Sequence, residues 1–471
     1  MTDLNITLDE KGAKKLAAKF QFDVVPVKQT GAMQGFLSGE NGLYVSVEKT
    51  SNPIAQLKAH FSLARRLKRL RSKYLKANGE SSKLKLVFSH HDRPIAIFDH
   101  DSMASDYAGA YILPGLGAGV VGLIKRLIDK WVGINPAIDG ALLLPAQAGE
   151  SLLAALKDAE LVEYDKQKAM SSICIDSSKD IFLFFGKQQN PELACYFISP
   201  DQGPKIKRNR EQLYDALGDL VSRPLGVIKT ESNRHAFVES GLPGCPWFQL
   251  LRNKQTSFTE TKRVAVSMLN QFHLRVATND LWHESQNLAH NLSEQYKFSA
   301  SNNSAVASLE KLRPLVESSI ASLDSLEVDS FYQHGDFCIN NLLFLKDSAQ
   351  IIDWDEFGHT SMPLQDEICL ALSFHNVEGK KGVESLRENM ILVMENSYWR
   401  NKLPENAFAA MFLYHLLYRL GEWGNNPNRA GICDWLLTIL NEFIESPSEL
   451  FLWVTEPNTK VGHESRPALM N

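Results

Sequence analysis

The chain has 471 residues, of which 44% are hydrophobic and 22% charged, with a formal net charge of −5. It is too long for one ordinary domain, and its composition is that of a folded protein. The small negative charge gives no whole-protein attraction to nucleic acid. The six cysteines form no C-x-x-C pair, which argues against a disulfide framework or a structural zinc site and fits a reducing compartment. The first residues lack the basic-then-apolar layout of a signal peptide, so the cytoplasm is the expected location.

Residues 1–165 are predicted to form a separate α/β region, whose clearest element is a basic helix over residues 53–76. A proline suits its first position, and apolar residues recur along it at helical spacing. Much of the remaining surface is basic, including Arg65, Arg66 and Arg69. Such a helix has two interpretations. It is a solvated face, which is the usual reading of a run of charge, or it contacts an anionic membrane.

A long apolar segment, residues 107–123, resembles two motifs that the surrounding sequence does not support. It contains Pro114 and is shorter than the roughly 20 apolar residues of a membrane span, so we expect a buried or loop-forming segment. Gly117, Gly119 and Gly122 have the spacing of a dinucleotide fingerprint. No clear strand precedes them and no good acidic partner follows, so this motif is weak.

From about residue 170, short apolar runs bounded by turn residues predict β-strands. The predicted order is strand, strand, helix, strand, strand, over residues 181–185, 193–198, 207–221, 225–229 and 235–239.

Beyond residue 246 the sequence becomes mainly helical. One apolar face recurs at helical spacing along residues 264–276 and another along residues 309–320. Residues 456–471 contain prolines and a glycine and are predicted to form a flexible tail.

The segment that carries chemistry begins with His334, Gly335 and Asp336, continues to Asn341, and ends at Asp353. Phosphoryl transfer from a nucleotide needs a carboxylate that orients or deprotonates the attacking hydroxyl. It also needs oxygen ligands that hold Mg²⁺ against the phosphates. Asp336 is the candidate for the first task, and Asn341 with Asp353 for the second. Each residue alone is an ordinary loop residue, but the set at this spacing favours a catalytic site.

A β-hairpin explains the spacing of the two metal-ligand candidates. Residues 342–345 and 350–354 are predicted to be its strands, around a polar turn at Asp347. Asn341 and Asp353 are equally far from Asp347 in sequence, so the hairpin is expected to place them side by side.

With these motifs the sequence resembles the aminoglycoside phosphotransferase and choline kinase superfamily, whose catalytic loop runs H-G-D-x-x-x-x-N. The second family motif, I-D-W-E, matches residues 352–355, with aspartate in the last position. A glycine–proline–aspartate sequel matches Gly358, Pro363 and Asp366. The resemblance covers residues 170–450. It implies an α+β, bilobal protein-kinase-like fold with a small β-rich lobe and a helical lobe, preceded by the extra N-terminal α/β region.

The resemblance also implies an activity. This is transfer of a phosphoryl group from ATP or GTP to a hydroxyl of a small polar acceptor, such as a sugar, an amino alcohol or a glycan intermediate. By this resemblance Asp336 is the catalytic aspartate, and Asn341 and Asp353 are the magnesium ligands. His334 then braces the catalytic loop rather than transferring protons.

The resemblance places the small lobe at residues 166–245 and the helical lobe at residues 246–455. Glu239 and Gly241 fall in the segment that looks like the hinge between lobes, where backbone groups would meet the adenine. His273 matches a histidine that ends a family helix, and a packed helical residue is a better interpretation of it than a ligand.

The small lobe departs from the family pattern at the lysine that pairs the nucleotide phosphates. On the predicted strand, the position of this lysine falls near Tyr196, and no clear glycine-rich loop precedes it. Glu211 fits the helical glutamate that holds the lysine, but it fits an exposed acid equally well. Lys187, Lys205 or Lys207 are candidates for a substitute cation, because a flexible lysine reaches from a neighbouring element.

Two functions therefore stay open. An active small-molecule kinase is favoured by the set of Asp336, Asn341 and Asp353, which an inactive protein does not need. A pseudokinase or scaffold, with weak or no nucleotide binding, is favoured by the missing lysine. In that case the function resides in residues 1–165.

Overall fold

A computed structural model describes residues 150–161, 171–176, 180–185 and 190–451, together with strands at 43–46, 85–90, 93–99 and 140–144. The range 190–451 has short gaps at 231–232, 253–254, 325, 380–382, 427–428 and 448. The chain divides into two compact units, Met1–Asn253 and Lys254–Asn471. The fold is α+β, with antiparallel sheets in the first unit and mainly helices in the second. The predicted basic helix, the apolar segment 107–123 and the predicted tail lie outside the described residues.

The described strands of the first unit form two antiparallel sheets. One has four strands in the order β1-β4-β2-β3, and the other has five in the order β5-β6-β7-β9-β8. The strands are β1 Leu43–Ser46, β2 Lys85–His90, β3 Arg93–Asp99, β4 Gly140–Leu144, β5 Ser171–Asp176, β6 Asp180–Phe185, β7 Leu193–Ile198, β8 Pro224–Lys229 and β9 His235–Ser240. The described helices are α1 Glu150–Asp158, α2 Gly203–Leu217 and α3 Trp247–Arg252.

The five-stranded sheet and helix α1 share a hydrophobic core. Successive side chains of a strand point to opposite faces, so Leu193 and Cys195 of β7 lie on the same face. These two side chains and Val238 of β9 are buried in one cluster with Leu152 and Leu156 of α1. Burying each large apolar side chain contributes roughly 1.5–3 kcal/mol, so α1 is held to the sheet by its apolar side.

The predicted order of elements in this region is confirmed. The strands predicted at 181–185, 193–198, 225–229 and 235–239 correspond to β6, β7, β8 and β9. The helix predicted from residue 207 begins earlier, at Gly203, since a proline in its first turn is compatible with helical geometry. It ends at Leu217, where Gly218 takes a positive φ of 59°.

The described part of the second unit consists mainly of helices, with two two-stranded antiparallel sheets. The first pairs β10 His283–Asn287 with β11 Glu327–Phe331, and the second is a hairpin of β12 Leu342–Phe344 and β13 Ala349–Ile351. The helices are α4 Phe258–Val276, α5 Leu288–Asn302, α6 Ser304–Ala307, α7 Leu312–Leu323, α8 Gln365–Glu378, α9 Val383–Met394, α10 Glu405–Trp423 and α11 Ala430–Glu445.

The apolar faces predicted for the helical unit are largely buried. Met268, Leu269 and Phe272 of α4 are fully buried, as are Leu312 and Val316 of α7. Helices α8 and α10 are buried on nearly all sides, which is typical of helices at the centre of a helical core. In the described parts of the chain, no helix combines the length and the hydrophobicity needed to cross a bilayer.

Candidate active site

The loop that carries the predicted catalytic residues joins β11 to a turn of 3-10 helix, Ile339–Asn341. Gly335 in this loop has a φ of +87°, and a Cβ at this position would lie 2.8 Å from the Glu356 carbonyl oxygen. Both the conformation and the close approach require glycine. The loop therefore passes directly against a second 3-10 turn, Trp354–Glu356.

Asp366, near the start of α8, holds the backbone of this loop. Its Oδ2 accepts a hydrogen bond from the His334 N–H at 2.8 Å, and its Oδ1 accepts one from the Gly335 N–H at 2.9 Å. The Asp366 side chain is fully buried. Hydrogen bonds to a charged acceptor in such a low-dielectric place are strong, and they are costly to lose.

The His334 ring links the loop to the hairpin that follows it. Its Nε2 donates to the Ile352 carbonyl oxygen at 3.1 Å, and its Nδ1 accepts from the Asp336 N–H at 3.4 Å. A carbonyl oxygen only accepts, so the proton resides on Nε2 and the ring is neutral. The ring is buried and lies 4.8 Å from the Trp354 ring, centroid to centroid. Both nitrogens are thus used in holding the backbone.

The Asp336 carboxylate is fixed at both oxygens. Its Oδ2 accepts from Asn341 Nδ2 at 3.1 Å, and its Oδ1 accepts from Arg419 Nη2 at 3.2 Å. The Cys369 thiol lies 3.7 Å from the same Oδ1. The side chain is 29% exposed, so the carboxylate is oriented by the protein and still reachable from solvent.

The hairpin brings the two metal-ligand candidates close in the backbone, with a register one residue from the predicted one. The Ile352 N–H donates to the Asn341 carbonyl oxygen at 2.9 Å, so Asp353 is the residue after this pair. The strand predicted over 350–354 ends instead at Ile351. It ends there because Asp353 has a φ of 63° and a ψ of 60°, a left-handed conformation that an extended strand does not continue.

Asn341 and Asp353 present oxygen atoms of the kind that Mg²⁺ prefers. Asn341 Nδ2 donates to both the carbonyl oxygen and the carboxylate of Asp336, which leaves the amide oxygen as its ligand atom. Asp353 is exposed. Over the described residues, no group of three or more His, Cys, Asp and Glu side chains has the arrangement of a metal site. A cation held by these two residues would therefore be completed by phosphate oxygens and water, as Mg²⁺ commonly is.

A buried arginine that the sequence reasoning missed enters the site from α10. Arg419 Nη2 donates to the Gly335 carbonyl oxygen and to Asp336, and its Nη1 donates to Glu356 Oε2 at 2.9 Å. The Arg419 side chain is 3% exposed. The sequence does contain a signal for it, because an arginine inside the mostly apolar stretch 407–420 is almost never buried without partners.

His273 lies between two carboxylates of α8. Its Nε2 is 3.3 Å from Asp366 Oδ2, its Nδ1 is 3.2 Å from Glu367 Oε1, and all three side chains are fully buried. Burial alone would lower the pKa of His273, but the charge of Glu367 and the contacts with both carboxylates raise it to about 9. A charged His273 therefore ties α4 to Asp366, which holds the backbone at His334 and Gly335.

Two cysteines close to Asp336 are protonated thiols. Burial, reinforced by the nearby charge of Asp336, raises the pKa of Cys338 to about 12 and the pKa of Cys369 well above its usual value. The thiolate is the reactive form of cysteine. These side chains therefore do not serve as nucleophiles at neutral pH.

In the first unit, Tyr196 occupies the predicted lysine position, Glu211 is the candidate for the helical glutamate, and three lysines are candidates for a substitute cation. Tyr196 of β7 is buried and packs on a phenylalanine ring of β9. Glu211 pairs with Lys207, one turn away on the same helix, at 3.6 Å. Lys205 and Lys207 are both exposed, and Lys187 lies outside the described residues. Within the part of the chain that the structure describes, Glu211 is thus paired with a lysine of its own helix, α2.

The predicted hinge segment is held by backbone contacts with the two residues before β7. The Gly241 N–H donates to the Glu192 carbonyl oxygen at 2.8 Å. A Cβ at Gly241 would lie 1.8 Å from the Pro191 carbonyl oxygen, so only glycine fits. Glu239 is half-buried on β9, opposite Ala194 of β7. The Gly241 N–H is therefore engaged within the first unit, and a contact between other backbone groups of this segment and adenine stays a prediction.

The structure thus brings together the four predicted residues of the second unit. His334 and Asp336 lie on the loop before the hairpin, Asn341 on the 3-10 turn that leads into it, and Asp353 two residues after its last strand. The three predicted residues of the first unit lie on two elements, α2 and the end of β9 with the residue after it.

No family model matches the chain, and no curated protein matches it. Among solved structures, it is similar to a thermostable mutant of aminoglycoside phosphotransferase APH(4)-Ia in ternary complex with ADP and hygromycin B. The two are 15% identical with a TM-score of 0.41, over 63% of this chain and 98% of that one. It is also similar to aminoglycoside phosphotransferase APH(3'')-Id from Streptomyces rimosus in complex with ADP and streptomycin. That match has 14% identity and a TM-score of 0.37, over 58% and 98% of the two chains.

A third match is a choline/ethanolamine kinase family protein from Mesorhizobium loti. It is 14% identical with a TM-score of 0.36, over 58% of this chain and 88% of that one. The matched proteins are of the two kinds that the sequence motifs resemble.

Proposed function

We propose that the chain is an ATP- or GTP-dependent phosphotransferase that phosphorylates a hydroxyl of a small polar molecule. The observation that carries this proposal is the fixed, partly exposed Asp336 carboxylate. It accepts a hydrogen bond from Asn341, whose carbonyl oxygen in turn accepts from the Ile352 N–H, next to Asp353. The same proposal includes a bilobal kinase-like arrangement of the chain, with an additional N-terminal region.

Asp336 is the proposed base. A carboxylate held at Oδ1 by Arg419 and at Oδ2 by Asn341 keeps one orientation, and its exposed edge accepts the hydrogen of an incoming hydroxyl. The hydroxyl oxygen would attack the γ-phosphorus of the nucleotide, the bond from that phosphorus to the nucleoside diphosphate would break, and the hydroxyl proton would pass to the carboxylate. The preorganised hydrogen bonds cost no reorganisation at that moment.

Asn341 and Asp353 are the proposed ligands of the metal that accompanies the nucleotide. When bound, a magnesium–nucleotide complex supplies the phosphoryl group and neutralises the charge that develops on it. Asn341 has two proposed tasks, because its amide nitrogen donates to Asp336 and its amide oxygen is left as the metal ligand. Removing Asn341 is therefore expected to disturb the base as well as the metal.

His334 and Asp366 position the loop and take no part in proton transfer. The neutral His334 ring bonds the backbone at Ile352, and Asp366 bonds the backbone at His334 and Gly335. Positioning of this kind is worth several orders of magnitude in rate when it holds reacting atoms in attack geometry.

A second candidate function is a pseudokinase or scaffold. It is favoured by the first unit, where Tyr196 is buried at the position of the expected lysine and Glu211 pairs with Lys207. In this function the described second unit keeps its polar loop for structure, and nucleotide binding is weak or absent.

Nucleotide-dependent thermal stabilisation with and without Mg²⁺ distinguishes the two functions. A ligand at 100 times its dissociation constant adds about 2.7 kcal/mol to the stability of the folded state, which is readily seen in a melting curve. We expect ATP or GTP to stabilise the natural protein in the presence of Mg²⁺ and to lose this effect in Asp353→Ala.

Asp347→Ala is the matched control, because Asp347 is an exposed aspartate in the turn of the same hairpin. It is expected to respond to Mg²⁺ and nucleotide like the natural protein. If no nucleotide stabilises the natural protein under conditions where a known kinase responds, the phosphotransferase proposal is wrong and the scaffold is favoured.

A further inference from the structure

Asp336 and Asp353 lie on two different backbone segments of the second unit. Asp336 is in the loop before the hairpin, and Asp353 begins the 3-10 turn after it. For both to act on the same phosphoryl group, the two segments must keep a fixed relation. The chain therefore needs contacts that tie the loop to the turn.

Arg419 makes these contacts from a third element, α10. Its Nη2 reaches the loop at the Gly335 carbonyl oxygen and at Asp336 Oδ1. Its Nη1 reaches the turn at Glu356 Oε2, at 2.9 Å. One guanidinium thus binds both segments at once.

We propose that Arg419 is the positioning residue that fixes the Asp336 carboxylate and locks the loop that carries it to the turn that carries Asp353. The role as a positioning residue for a reaction rests on the proposed phosphotransferase function. The mechanical link between the two segments stands on the contacts alone.

The geometry requires an arginine. A guanidinium is planar and presents its donors in a rigid fork, whereas a lysine is a point charge on a flexible stem. A lysine at position 419 would reach either the loop or the turn, but it would not span both in the same arrangement. The fork is itself held in place by rings of α10, with the Arg419 Cζ 4.8 Å from the Trp423 ring centroid and 5.5 Å from that of Tyr418.

The charge of Arg419 is as necessary as its shape. Asp336 and Glu356 bind the same guanidinium, so their carboxylates would repel each other if it were lost. Burial by itself disfavours the cation, but the neighbours Cys369, Asp336 and Glu356 raise the pKa of Arg419 above its usual range. On α10, one turn earlier, burial and the charge of Arg419 lower the pKa of His415 well below its usual value, so that ring stays neutral.

The test compares Arg419→Lys with the natural protein in three measurements. The first is the thermal stabilisation by Mg-ATP. The second is the rate of phosphate release from Mg-ATP with water as the acceptor, together with its KM. The third is amide hydrogen exchange in the segment 334–341. We expect Mg-ATP binding and KM to change little and turnover to fall about 100-fold, because a displacement near 1 Å is enough for such a loss. Exchange in 334–341 is expected to be faster.

Two further variants separate positioning from a general loss of structure. Arg313→Lys is the control, because Arg313 is an exposed arginine that pairs with Glu317 on α7, and it should leave all three measurements unchanged. Glu356→Gln keeps Arg419 and replaces its charged partner on the turn with a neutral acceptor. We expect a smaller loss of turnover, about tenfold, since a neutral hydrogen bond holds the guanidinium less strongly. This variant tests the link if Arg419→Lys does not fold.

Equal turnover and equal exchange of 334–341 in Arg419→Lys and Arg313→Lys would overturn the proposal. So would a loss of Mg-ATP binding that parallels the loss of turnover, because that pattern indicates a general structural role. If the natural protein neither binds nor turns over Mg-ATP, the phosphotransferase function fails separately. In that case faster exchange confined to 334–341 in Arg419→Lys or Glu356→Gln still supports the link, and unchanged exchange in both overturns it.

Discussion

The five-stranded sheet of the first unit and the polar loops of the second unit are stabilised in different ways. The core between the sheet and α1 is apolar, and Glu211 lies at the surface in an ion pair on its own helix. In the second unit Asp366, His273 and Arg419 are buried charges, and each contacts groups of opposite charge or backbone donors and acceptors.

This difference supports the proposal that the chemistry of the chain resides in the second unit. An apolar core needs only shape and volume, and many residues satisfy it. A buried charge is costly unless it is paired. Replacing a whole buried ion pair by well-packed apolar residues is often neutral for stability. A protein that keeps several buried charges around one partly exposed carboxylate is thus expected to use them for function, and the second unit is the place to look for it.

The largest effect is expected from Asp366→Asn. This change leaves the N–H groups of His334 and Gly335 with a weaker acceptor and His273 with one carboxylate fewer. Breaking a buried charge network by removing one partner costs about 3–5 kcal/mol. Urea unfolding followed by tryptophan fluorescence measures it, since six of the eight tryptophans lie in the second unit. Asp329→Asn, at a 77% exposed side chain, should change stability by less than about 0.5 kcal/mol.

The second effect is a dependence of stability on pH through His273. Its pKa is raised to about 9 in the folded chain, against about 6.5 when unfolded. The contribution of the His273 charge to the free energy of unfolding, ~3 kcal/mol, is therefore complete below about pH 6.5. It is lost as the pH rises through 9. Urea unfolding at a series of pH values should show this slope in the natural protein and in His290→Gln, at an exposed histidine. The slope should be much flatter in His273→Gln. A natural protein whose stability is level across this range would show that His273 is neutral.

The third effect is expected in the first unit, from Gly241→Ala. A Cβ there would lie 1.8 Å from the Pro191 carbonyl oxygen, so the backbone must shift, at a cost of about 1–3 kcal/mol. Gly431→Ala is the matched comparison, because nothing lies within 4 Å of a Cβ at this helical position. It should raise stability by about 0.5–1 kcal/mol. Calorimetry gives the change in melting temperature of each variant relative to the natural protein. The two changes have opposite signs if the close approach at Gly241 is real, and the same sign if it is not.

The smallest effect is expected from Glu211→Gln. Its exposed pair with Lys207 contributes at most about 1 kcal/mol, and the side chain is 49% exposed. We expect the stabilisation by Mg-ATP to be the same as in the natural protein. A loss of that stabilisation would remove the contrast between the two units, because it would assign nucleotide binding to α2.

The sequence was sufficient to predict the parts of the fold and of the candidate site that depend on local spacing. The order of β6, β7, α2, β8 and β9 follows from short apolar runs and turn residues. The hairpin that joins Asn341 to Asp353 was also predicted, although its register differs by one residue. That difference depends on the left-handed backbone of Asp353, which no periodic pattern encodes.

The contacts that hold the site together could not be predicted, because they join residues far apart in the chain. Arg419 and Glu356 are separated by 63 positions, and Asp366 and His273 by 93. For Arg419, the sequence shows only that a charged residue lies in an apolar helix and needs a partner. Which partner it finds is decided by tertiary packing.

The most direct measurement is phosphoryl transfer from labelled ATP to a set of small polyhydroxylated and amino-alcohol acceptors. It compares the natural protein, Asp336→Asn, and Asp347→Asn as the hairpin-turn control. We expect the natural protein and Asp347→Asn to transfer phosphate to the same acceptor. Asp336→Asn should be slower by about 10²–10⁴-fold while still binding Mg-ATP, because the carboxylate acts on the acceptor hydroxyl. Near-full transfer by Asp336→Asn would contradict the assignment of the base.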